Sequence, residues 1–89
     1  MALYFVSYDL HKAGQNYTCI SEKLEEMGTH WHFQQSVWLV KWGGNPYDLA
    51  NHLETCLDSN DKLFVCRVSH DAAWSGYPDD ATTWISSNM

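Results

Sequence analysis

Residues 2–10, Ala-Leu-Tyr-Phe-Val-Ser-Tyr-Asp-Leu, carry an apolar or aromatic side chain at almost every position. In an extended strand Leu3, Phe5 and Ser7 point to one face, and Tyr4, Val6 and Tyr8 to the other. A strand apolar on both faces belongs inside a sheet that is covered on both sides. The first element of this chain is therefore expected to be central.

The remaining segments supply the neighbours of that strand. His11 to Gln15, with Gly14, reads as a loop. Asn16 is placed to cap a helix whose apolar positions Tyr17, Ile20, Leu24 and Met27 follow a helical period, with Gly28 as its stop. His30 to Gln35 alternates with period two, and Ser36 to Trp42 reads as a second strongly apolar strand ended by Gly43-Gly44. Asn45-Pro46, with Asp48 in the first turn, is a strong helix start; Leu49, Ala50, Leu53, Cys56 and Leu57 form the stripe that follows. Asp58 to Asp61 is a turn, and Lys62 to Val68 a last strand. The order β-α-β-β-α-β predicts an α+β, ferredoxin-like sandwich with a four-stranded antiparallel sheet and both helices on one face.

One domain spans residues 1–89 in this reading, with a core over 2–69 and a C-terminal extension over 70–89. Within the extension, Asp79 or Asp80 is placed to cap a short helix through Ile85, anchored by Trp74, Trp84 and Ile85 on the open sheet face or on a partner chain. The helix-free face carries apolar residues of the first and third strands, and a second copy of the chain is the simplest cover for it. Five Trp in 89 residues exceed what one small core readily buries, so some are expected at an interface.

Five basic against eleven acidic residues give a net charge of −6, which disfavours unaided binding to a long duplex. Cys19, Cys56 and Cys66 are odd in number, widely spaced and lack a CxxC pair, which predicts three reduced thiols. No run reaches the length of a membrane span, and no charged targeting segment precedes the first strand, so a cytoplasmic location follows by elimination.

Asp9, at the end of the first strand, is the leading candidate for chemistry. It either caps the loop that follows or stands at the edge of a cleft. Two copies of Asp9 brought together across a two-fold axis could hold one Mg²⁺ or Mn²⁺ and activate water against a phosphodiester. His11 and His70 follow strand ends and are candidates for acid or base work near Asp9. His30 and His32 share a strand face and could clip a transition metal, although no third ligand is identifiable. Ser69-His70-Asp71 lacks the convergent geometry of a triad. No phosphate-binding loop, dinucleotide turn or nucleophile elbow is present, so a nucleotide cofactor is not expected.

Two short motifs, Ser7-Tyr8-Asp9-Leu10 and Gln35-Ser36-Val37-Trp38, sit on the first and third strands of this order. Together they resemble the small CRISPR-associated adaptation protein that partners the spacer integrase, a family whose fold and strand-end aspartate are shared by the virulence-associated protein D toxins. The tail, Ala72-Ala-Trp-Ser-Gly76 and Thr83-Trp-Ile85, is similar to bacterial proteins labelled SinR-family. The resemblance implies a symmetric homodimer and a metal-dependent endonuclease activity in some members. Asp9 would be the catalytic Mg²⁺ or Mn²⁺ ligand, with Tyr8 and Ser36 beside it. The basic loops of the DNA-holding members are missing, since only His11 and Lys12 follow Asp9. Three functions are thus expected: a nuclease-like homodimer acting on short or single-stranded RNA or DNA, a non-catalytic dimeric adaptor that binds a protein partner, or a toxin-type ribonuclease.

Overall fold

A computed structural model describes residues 1–10, 17–27, 30–34 and 36–89, with backbone alone at 33 and 34. The elements are β1 (Ala2–Asp9), α1 (Tyr17–Glu26), β2 (His30–Gln34), β3 (Val37–Trp42), α2 (Pro46–Glu54), β4 (Lys62–Arg67) and α3 (Asp79–Asn88). The four strands form one antiparallel sheet in the order β2-β3-β1-β4, the arrangement of a ferredoxin-like fold. As its two apolar faces require, β1 is interior. It pairs with β3 from Ala2↔Trp42 to Ser7↔Val37, and with β4 from Tyr4↔Arg67 to Asp9↔Lys62.

Tyr4, Val6, Tyr8, Trp38 and Val40 pack with Ile20 and Leu24 of α1 and Leu49 and Leu53 of α2 into the main core. The start of α2 follows its sequence signal. The Asn45 side chain accepts from the Asp48 N–H at 2.8 Å, and Pro46 opens the helix. The helix stops at Glu54, so Cys56 and Leu57 lie just beyond it but still pack against the core. The expected Asn16 cap, the loop at 11–15, Gly28 and Gln35 lie outside the described residues. A register shift between His32 and Gln34 marks a bulge in β2.

The opposite sheet face is covered in part by the chain's own tail. Ile85 of α3 is buried with Leu3 and Leu39, and Phe5, Trp31, Val68, Trp74, Trp84 and Met89 pack around them. Trp84 meets Trp31 at 6.1 Å, the Trp74 indole donates to Thr82 Oγ1 at 3.0 Å, and Lys41 Nζ donates to the Asn88 carbonyl at 2.7 Å. That lysine places a cation on the C-terminal end of α3, where the helix dipole favours it. One sequence expectation changes here. Pro78, not an aspartate, is the cap residue of α3, and no side chain bonds there; Asp79 and Asp80 sit in the first turn, where they favour the dipole without capping. Of the five Trp, Trp38 is buried and the other four are half-buried, packed against two cores on opposite sides of the sheet.

The cysteine expectation is also corrected. Cys19 and Cys56 form a disulfide across a Cα separation of 5.6 Å, leaving Cys66 free. Helices α1 and α2 lie on one sheet face; half-buried Cys19 of α1 and half-buried Cys56, just past the end of α2, share that layer, so residues 37 apart in sequence come within bonding reach. No helix among the described residues is long and apolar enough to cross a membrane.

Candidate functional site

Asp9 ends β1 with its side chain exposed. Strand alternation puts it on the α3 face, in line with Leu3, Phe5 and Ser7. Lys62 stands opposite it in register, so the nearest strand neighbour of this carboxylate carries a cation. The buried part of the α3 face, around Leu3, Leu39 and Ile85, lies toward the other end of β1. At the Asp9 end, Ser7 and Val37 are half-buried and Phe64 is 61% exposed.

Tyr8 points the other way. Its ring is buried in the main core, 6.0 Å from Tyr17, and its hydroxyl accepts a hydrogen bond from the Trp38 indole at 3.0 Å. Ser36 precedes β3, and its carbonyl accepts the Tyr8 N–H at 3.2 Å. The three residues singled out in the sequence are therefore close along the backbone, while the Tyr8 and Asp9 side chains project to opposite sheet faces.

The chain matches no family model and no solved structure.

His32 stacks on Trp38 with ring centroids 3.9 Å apart, and His30 is tilted against the same indole at 5.5 Å. The two imidazoles do share a face, as their spacing predicts, and an aromatic ring lies against both. Among the described residues no group of three or more His, Cys, Asp or Glu is placed to hold a metal ion. Among the described residues, the donor set that a Mg²⁺ or Mn²⁺ ion needs is not assembled around Asp9; an exposed carboxylate facing a lysine is a poor cation site by itself. His70 is placed far from Asp9. The antiparallel register brings the end of β4 to the start of β1, where the Val68 N–H bonds the Leu3 carbonyl at 2.8 Å. Six strand residues, roughly 20 Å, separate that end from Asp9. The proposed acid–base partnership of His70 with Asp9 is thereby removed, and His11 lies outside the described residues. Ser69 Oγ accepts the Asp71 N–H at 3.3 Å, a local turn contact.

Sequence reasoning did not anticipate the surface around β4, the outer strand of the sheet beside β1. Phe64 is 61% exposed on the α3 face, and Tyr47, at the start of α2, is 79% exposed on the helix face. A cavity of about 460 Å³ lies beside Phe64, bounded by Phe5, Cys66, Trp74 and Ile85. A smaller hollow of about 300 Å³, lined by Pro46, Tyr47, Ala50 and Val65, lies on the other face. The available signal was the pattern of β4 itself, in which Phe64 breaks the alternation expected of an outer strand with a polar side toward water.

Proposed function

We propose that this chain is a non-catalytic, homodimeric adaptor or regulatory domain that binds through the β4 side of its sheet. The observation that carries this reading is the placement of Phe64 and Tyr47. Two large exposed aromatic rings flank one outer strand on opposite faces, and exposed aromatics concentrated at one place mark interaction surfaces. The acidic balance of the chain and the lysine opposite Asp9 agree with protein binding better than with phosphate chemistry. The test is sedimentation of the purified chain over a concentration series, with Phe64→Glu as the variant. Association that weakens strongly in Phe64→Glu supports the reading, and a monomer at every concentration removes it.

A second reading rests on Asp9. Its carboxylate is exposed at a strand end, on the part of the sheet face that lies away from the α3 contacts. In a metal-dependent nuclease built on that position, Asp9 from each of two face-packed copies would hold Mg²⁺ or Mn²⁺, since the described residues of one chain do not complete the donor set. The substrate would be a short or single-stranded RNA or DNA, since the charge balance is against a long duplex. A toxin-type ribonuclease would use the same residue. Labelled RNA and DNA incubated with either cation distinguish this reading: cleavage abolished in Asp9→Ala establishes it, and cleavage unchanged in Asp9→Ala removes it. A cytoplasmic working place would hold Cys19 and Cys56 as thiols for much of their life. A thiol count on protein isolated under alkylating conditions reads that directly.

A further inference from the structure

We infer that the second copy joins edge to edge, through an antiparallel β4–β4 pairing centred on Phe64, to make one continuous eight-stranded sheet. This deepens the adaptor reading and rests on its dimer. The register follows from β4 alone. A two-fold axis perpendicular to the sheet keeps each face on its own side, so residues that meet must have positions summing to an even number. The Val68 N–H bonds the Leu3 carbonyl, so by backbone alternation the polar groups of residues 62, 64, 66 and 68 turn toward β1, and those of 63, 65 and 67 turn to the open edge; the Asp61 N–H is bonded to the Asp58 carbonyl in the turn before β4.

Centring on Phe64 places Phe64 against Phe64 of the second copy as a non-hydrogen-bonded pair, the closer of the two pair types. Leu63 then meets Val65 of the other copy in hydrogen-bonded pairs. At each end Arg67, which is exposed, stands opposite Asp61 of the other copy, a half-buried residue whose Oδ2 also accepts the Asp58 N–H at 2.8 Å. Centring on Val65 instead sets Arg67 against Leu63. Centring on Cys66 sets Phe64 against Val68, and Lys62 against His70. Among these, the Phe64 register is the one that matches opposite charges at both ends and puts the exposed aromatic at its middle. Arg67 Nη2 donates to the Tyr4 hydroxyl at 3.4 Å and its guanidinium lies 5.8 Å from that ring, which leaves further N–H donors of the guanidinium for a carboxylate. Tyr47, beside Val65 on the helix face, would shelter the new strand pair.

Three strand spacings and a four-residue offset separate the two Asp9 residues in this assembly, roughly 20 Å. The edge dimer and the paired-Asp9 dimer are therefore different objects, and cross-linking separates them. The experiment adds one free cysteine to the Cys66→Ala background, with the Cys19–Cys56 bond kept. Phe64→Cys should give a covalent dimer on mild oxidation, and Asp9→Cys should not. A charge pair tests the register: Arg67→Asp should raise the dimer dissociation constant by about tenfold or more, and Asp61→Arg combined with Arg67→Asp should bring it back to near the parent value. A dimer that cross-links through Asp9→Cys and not Phe64→Cys overturns the edge register while leaving a dimer in place. A strict monomer overturns both this inference and the adaptor reading.

Discussion

Tyr8 and Asp9 are neighbours in the chain and belong to opposite sides of the molecule. The Tyr8 hydroxyl is the acceptor for a buried indole N–H, and the Tyr8 ring fills core space. Tyr8→Phe would leave the Trp38 nitrogen buried without a partner, a loss of about 1–3 kcal/mol of stability in a urea titration. Asp9→Ala touches only an exposed side chain, so its unfolding free energy should stay within about 0.5 kcal/mol of the parent. The pair of variants separates a packing role from a role in chemistry, because Asp9→Ala can alter activity without altering stability. That Asp9 ends a central strand was legible in the sequence. Its facing Lys62 was not, because cross-strand register depends on where the β4 turn falls.

At the scale of elements, α1 shows how a short helix is held. It has ten residues, only Ile20 and Leu24 are buried, and such a helix is marginal without outside support. The Cys19–Cys56 bond ties it to the segment following α2. Closing a span of 37 residues restrains the unfolded chain by about 3–4 kcal/mol in the loop-entropy account. Reduction, or Cys19→Ser with Cys56→Ser, should therefore lower stability by about that amount. Thiol titration of the unfolded protein should rise from one group to three on prior reduction. Three titratable thiols before any reductant is added would contradict the bridge. Widely spaced cysteines gave no hint of it, since their meeting is a consequence of two helices sharing one sheet face.

The whole molecule is a sheet with a core on each side, and the helical core was the more readable half. The apolar period of Ile20, Leu24, Leu49 and Leu53, the Asn45-Pro46 start and the two-faced first strand all point to the same sandwich. The tail was harder to place, because Trp74, Trp84 and Ile85 suit either the chain's own open face or a neighbour's. Once α3 lies over Leu3 and Leu39, the need for a partner on that part of the sheet falls, and Phe64 and Tyr47 become the conspicuous exposed rings. An adaptor surface is difficult to see in sequence because it depends on which strand ends up outermost. The measurement that tests the account most directly is sedimentation equilibrium of the parent chain and of Phe64→Glu at matched concentrations. A dimer joined through Phe64 gives a parent mass approaching twice the 10.3 kDa chain and a Phe64→Glu mass close to one chain. Equal masses for the two proteins, whether monomer or dimer, would contradict it.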